Sequence, residues 1–203
     1  MTEGTTPHKS FAGKGVYPAS KAGWLLNPLR RFIMSPRRMV GRLCLTAGEH
    51  VLEIGPGPGW FSPEIASAIT PGRLVLFDIQ AEMLALAAAR LKQAGHDNFE
   101  CIEGDAILLP FADAQFDAVL LVTVLGEIGW SGRALREIAR VLRPSGRVLV
   151  TEQLGDPDHV RRSALEKLAD QAGLQIVQID GSLLMYSAVL RPAPGEKKEA
   201  PLP

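Results

Sequence analysis

The sequence predicts an α/β fold in which a mostly parallel sheet carries helices on both faces. Three observations predict it. Short apolar runs alternate with amphipathic stretches from about Glu49 to Ile179, turn residues punctuate the boundaries, and a glycine-rich turn follows the first run. The runs are residues 51–54, 74–77, 99–102, 118–122, 148–150 and 174–179. Their length suits buried strands. Between most of them, apolar residues recur at helical spacing over 61–69, 82–93, 132–142 and 160–172. The stretch 105–110 gives the weakest helical pattern. Pro71-Gly72, Gly95, Pro144-Ser145-Gly146 and Gly173 mark turns. A last apolar run, 183–190, precedes a Pro- and Lys-rich end.

With 203 residues, 46% of them apolar, the chain can bury the core of one domain with short extensions. Residues 1–21 form a polar lead, 22–48 a helical cap broken by Pro28 and Pro36, 49–191 the α/β domain, and 192–203 a disordered tail. The first 48 residues hold Lys9, Lys14, Lys21, Arg30, Arg31, Arg37, Arg38 and Arg42 against Glu3 alone. That zone is either a solvated basic face or a lid meeting an anionic acceptor or a membrane surface. The whole chain balances 22 basic against 22 acidic residues, which argues against gripping a nucleic-acid backbone. Cys44 and Cys101 are far apart and lack metal-ligand spacing, so neither a disulfide framework nor a metal site is expected. With no apolar run long enough to span a bilayer and no secretory-type lead, the reading is a soluble, cytoplasmic protein.

The segment that carries chemistry is Val51-Leu52-Glu53-Ile54-Gly55-Pro56-Gly57-Pro58-Gly59, a buried strand ending in three alternate glycines. Glycine permits a tight turn and lets a ligand approach the backbone. Alone, such a loop is also a plain strand-to-helix turn. Its context is more specific. Asp78 closes the second run, where a carboxylate can accept both hydroxyls of a ribose, or else cap the next helix. Asp105 follows the third run in Gly104-Asp105-Ala106 and can meet an adenine amine, or else shape a turn.

These motifs recur in order with Leu109-Pro110-Phe111, Phe116-Asp117-x-Val119 and the stretch from Leu135-Arg136-Glu137 to Gly146-Arg147-Val148. Together they cover about 100 residues and resemble the class I S-adenosylmethionine-dependent methyltransferases, of the broad group that includes the quinone-biosynthesis C-methyltransferases. The resemblance implies a Rossmann-like, doubly wound, seven-stranded sheet whose last strand runs antiparallel. It implies S-adenosylmethionine as cofactor: Glu53 near its methionine end, Gly55, Gly57 and Gly59 behind it, Asp78 on the ribose, Ile79 beside the adenine, Asp105 and Ala106 at its edge, and backbone near Val122 at the methionine. Pro56 and Pro58 depart from a flexible loop and remove two N–H donors.

The acceptor side is less legible. Strand ends at the carboxyl edge nominate Glu127 first, then Glu152 and His159, although each reads more readily as an ordinary surface or helix-start residue. Trp24, Trp60 and Trp130 are candidates for an apolar wall. The place after the fourth strand reads Val122-Thr123-Val124-Leu125-Gly126-Glu127, without the Asn/Asp-Pro-Pro-aromatic signature of adenine or glutamine methylation. The expected acceptor is therefore a small, partly apolar molecule, with a phospholipid or protein acceptor, or a non-catalytic cofactor-binding protein, as alternatives. A nicotinamide oxidoreductase fits poorly, since the loop reads Gly55-x-Gly57-x-Gly59 rather than G-x-x-x-G-x-G or G-x-G-x-x-G.

Overall fold

The computed structural model describes residues 17–18, 34–182 and 184–194. Most of the basic zone, Trp24 and the tail beyond residue 194 lie outside the described residues. In chain order the described elements are α1 (Pro36–Gly41), β1 (His50–Ile54), α2 (Ser62–Ile69), β2 (Arg73–Asp78), α3 (Ala81–Gln93) and β3 (Phe99–Glu103). They continue with β4 (Phe116–Val122), α4 (Ser131–Val141), β5 (Leu142–Gln153), α5 (Arg162–Gln171), β6 (Leu174–Gly181) and β7 (Met185–Pro192).

The strands form one seven-stranded sheet in the order β3-β2-β1-β4-β5-β7-β6. Strands β1 to β5 pair in parallel, and β7 runs antiparallel to both β5 and β6. The expected doubly wound, Rossmann-like sheet with its antiparallel last strand is thus present. Period-2 alternation explains its two cores. Leu52, Ile54, Val75, Phe77, Val119, Leu121, Val148 and Val150 face α4 and α5. Val51, Leu74, Leu76, Ala118, Leu120 and Leu149 face α1, α2 and α3. In α4 the buried residues Ala134, Leu135, Ile138 and Val141 form one stripe at helical spacing.

Two expectations change. No helix forms over 105–110, because the Asp105 carboxylate accepts the Ile107 N–H at 3.1 Å and fixes a turn. Strand β5 starts at Leu142 rather than at Val148. Its register against β4 jumps from Phe116–Leu142 to Ala118–Arg147, so the predicted turn at Pro144-Ser145-Gly146 is an irregularity inside the strand.

At the amino edge, Arg147 ties the entry segment to the sheet. Its buried guanidinium donates to the carbonyls of Leu43 (2.6 Å), Cys44 (3.0 Å) and Asp117 (3.2 Å) and forks onto both Glu49 carboxylate oxygens at 2.8 Å. A planar donor fork suits that set as a lysine could not. Met34, Met39, Val40 and Leu43 bury with the α2–α3 core, so residues 34–43 pack as part of the domain's own interior.

Candidate functional site

The chain winds outward from β1 in two directions, through β2 to β3 and through β4 to β5. A crevice therefore opens beyond the carboxyl ends of β1 and β4, where strand order reverses. A cavity of about 760 Å³ fills it, within the size range of small-ligand sites.

Its floor is the glycine loop. Gly55, Gly57 and Gly59 have φ of +65°, +53° and +76°, the left-handed region that favours glycine. A Cβ on Gly55 would lie 2.5 Å from a Val124 methyl, and one on Gly59 2.9 Å from the Ala87 backbone. The amides of this loop are occupied within the protein. Gly55 N–H donates to Phe77 O at 2.8 Å, Gly59 N–H to Pro56 O at 3.0 Å, and Gly57 N–H to the Asp78 carboxylate. Pro56 and Pro58 have none to offer.

Asp78, at the end of β2, also accepts the Gln80 N–H at 2.9 Å. Burial pushes its pKa up to about 6, against these backbone bonds, which pull it down. The capping role for Asp78 is not what forms, since the residue preceding α3 is Gln80 and no side chain caps that helix. Glu53 is almost fully buried at the end of β1 and accepts the Ser62 hydroxyl at 2.6 Å. Burial is the main cause that lifts its pKa to about 7, with Asp78 adding to it. Ile79, Asp105 and Ala106 line the same wall, and Gly104 is required there because a Cβ would lie 2.6 Å from the Phe77 ring. Val122 and Thr123 close the β4 side, and the Thr123 N–H donates to Thr151 O at 2.8 Å. All nine residues nominated for the cofactor line one cavity except Gly59, whose role is close packing against α3.

Beyond Val122 the cavity continues between the β4 and β5 exits, past Glu127, Ile128, Trp130, Gln153, Asp156 and Asp158. Glu127 is lifted to about 8, chiefly by burial, with Asp156, Asp158 and Asp78 adding repulsion. Trp60 lines the cavity with its indole N–H on Met34 O, and Trp130 lines it while 60% exposed.

Glu152 and His159 are not among the lining residues. They meet behind the wall, with His159 Nδ1 4.0 Å from a Glu152 oxygen and the imidazole edge-on to the Tyr186 ring. Glu152 accepts the Val160 N–H at 3.1 Å, and burial first of all lifts its pKa to about 8. The pair therefore braces the 153–160 loop that carries Asp156 and Asp158. Asp156 and Asp158 are residues the sequence reading missed, although they follow a strand end and obey the rule that nominated Glu127. Tyr17, Gln80 and Met83 also line the cavity. Among the described residues, no His, Cys, Asp and Glu group is arranged to hold a metal, and no helix is long and apolar enough to cross a membrane.

With this geometry in view, residues 51–146 match the family described as a methyltransferase domain. The ubiquinone/menaquinone biosynthesis C-methyltransferase UbiE of Hahella chejuensis is 41% identical over 108 residues, 52% of this chain and 43% of that protein. The same enzyme of Ectopseudomonas mendocina is 34% identical over 145 residues, 70% of this chain and 54% of that protein. The chain thus spans about half the length of the curated relatives it matches. An S-adenosylmethionine-dependent methyltransferase from Aquifex aeolicus has the same fold, with a TM-score of 0.80 over 86% of this chain and 98% of that one at 19% identity.

Proposed function

We propose that this chain, which belongs to the class I S-adenosylmethionine-dependent methyltransferases, moves the cofactor's methyl group to a small, partly apolar acceptor. The observation that carries this reading is one continuous cavity with two differently built ends. One end joins Asp78, Ile79, Asp105 and Ala106, which fit an adenosine: a carboxylate for ribose hydroxyls, an apolar flank, and a turn acid for an exocyclic amine. The other end, around Glu127, Ile128 and Trp130, fits an acceptor with an apolar or aromatic body. Glu53 and the backbone at Val122 and Thr123 stand between the two and suit the methionine part. The relatives named for ubiquinone/menaquinone biosynthesis favour the same acceptor class.

When bound, S-adenosylmethionine supplies an already activated sulfonium methyl, so transfer by in-line displacement needs chiefly alignment. The protein's part is to hold both molecules in register and to exclude water. The glycine loop sets the cofactor's depth, because Gly55 and Gly59 lie so close to Val124 and Ala87 that neither has room for a Cβ. Glu127, whose pKa burial raises to about 8, takes a proton where the acceptor must lose one. Glu152 and His159 act on the acceptor wall from behind. In this reading residues 49–191 form the catalytic domain, into whose core residues 34–43 pack, and the protein works in the cytoplasm. The basic residues of the cap zone, of which Arg37 and Arg38 are exposed, offer a peripheral contact to an anionic membrane.

The test is to incubate purified protein with methyl-labelled cofactor and fractionated cell extract. Label in an organic-extractable, low-molecular-weight product is expected. Label confined to RNA or protein would overturn the acceptor class, and absence of transfer with any fraction would count against the activity.

A further inference from the structure

Gln80 follows β2 and Glu127 follows β4, strands that flank β1 and so lie two spacings apart, about 10 Å. Both line the cavity, and both reach the same distant residue. The Tyr17 N–H donates to Glu127 Oε2 at 3.3 Å, across 110 positions of sequence, and Gln80 Nε2 donates to the Tyr17 carbonyl at 2.9 Å, across 63. Tyr17 itself lines the cavity. Pro18 restricts Tyr17 to extended backbone, which limits the ways this peptide can lie.

We infer that Tyr17 is a wall residue of the ligand site and that Gln80 and Glu127 are the positioning residues that hold it across the mouth between the cofactor and acceptor ends. Motif matching cannot find this wall, because the family resemblance begins at Val51 and Tyr17 lies outside it. The inference rests on the reading of the cavity as a cofactor site, and gives Glu127 a role separable from proton transfer. Its carboxylate oxygen is needed as a hydrogen-bond acceptor, whatever its charge does in the reaction. An amide oxygen serves that purpose equally well, whereas a methyl group does not.

The experiment has two arms on the full chain, with thermal melting to confirm folding. In the first, hydrogen exchange at the Tyr17 amide is followed in the ligand-free protein. In the second, dissociation of S-adenosylhomocysteine is timed by displacement. Glu127→Ala and Gln80→Ala each remove one neutral-scale hydrogen bond, and should speed both exchange and dissociation by about 3–10-fold. Glu127→Gln should leave both close to the wild type even if turnover falls. Rates unchanged in both alanine variants would overturn the inference, as would a glutamine variant as fast as the alanine. If Glu127→Ala does not fold, Gln80→Ala decides alone. A wild type that fails to bind S-adenosylhomocysteine refutes the cofactor reading, while the ligand-free exchange arm still decides whether Gln80 and Glu127 hold Tyr17.

Discussion

Asp78→Ala is the sharpest test of the cofactor end. In the folded protein this carboxylate accepts N–H groups from Gln80, Gly57 and Ile79 while lining the cavity. A carboxylate has about four lone-pair sites, so three backbone bonds leave capacity for about one ribose hydroxyl. Hydrogen bonds to a charged group are worth about 1.5–3 kcal/mol, which corresponds to a loss of roughly 10- to 150-fold in affinity for S-adenosylhomocysteine. The alanine also releases the glycine loop, so Asp78→Asn is the necessary companion. It keeps one acceptor oxygen and the shape, and should lose less than the alanine. Because burial raises the Asp78 pKa to about 6, the ionised acceptor form fades as pH falls through that value. Wild-type affinity should therefore weaken from pH 7.5 to pH 5, and the alanine should lose this part of the dependence. Calorimetry across pH is the assay. Unchanged affinity in a folded alanine variant would remove Asp78 from the site, and a pH profile identical in wild type and alanine would refute the electrostatic part of the reasoning.

Glu127→Gln should lower single-turnover methylation by roughly 10²–10⁴-fold if it takes the acceptor's proton, with the wild-type rate rising toward pH 8; equal rates across pH would leave alignment as the whole mechanism. Gly55→Ala should destabilise the fold by about 1–3 kcal/mol, since its φ is +65° and a Cβ would meet Val124; urea titration reads it, and a shift within error would show that the loop relaxes freely. Glu152 holds its proton in the folded state up to about pH 8 but loses it near pH 4.5 when unfolded, so its contribution to stability falls as pH rises through that interval. Glu152→Gln should accordingly flatten the decline in melting temperature between pH 5.5 and pH 8.5, and an unaltered slope would show that the group is not buried as described.

Most of the sheet was legible because period-2 and helical patterns survive in its sequence, and because Glu53, Asp78 and Asp105 each stand at or just past a strand end, where topology makes them converge. The acceptor side was harder for a reason of parity. Glu152 and Gln153 are neighbours in β5, so they point to opposite faces; the sequence nominated the acid, and Gln153 is the one that lines the cavity. The turn at 105–110 was misread as helical because its polar contact, Asp105 to Ile107, is local side-chain chemistry that apolar spacing does not register. Tyr17 carries no local signal at all, since its partners lie 63 and 110 positions away. The entry segment was read as a cap, yet Met34, Met39 and Leu43 are interior residues, so a truncation meant to remove only a cover must stop before Met34.

The occupied amides of the glycine loop decide which nucleotides this crevice refuses. Dinucleotide sites of related topology seat a pyrophosphate on free backbone N–H groups at the start of the first helix. Here residues 55–59 present two prolines and three amides already committed inside the protein, Pro63 follows at the start of α2, and the Glu53 carboxyl stands against Ser62. A phosphate placed there would lose its water and gain no donors from this loop, beside an acid that repels it once ionised. The backbone of residues 55–59 thus has no free donor for a phosphate, and seating a pyrophosphate on this loop would require rebuilding the turn rather than exchanging side chains around it.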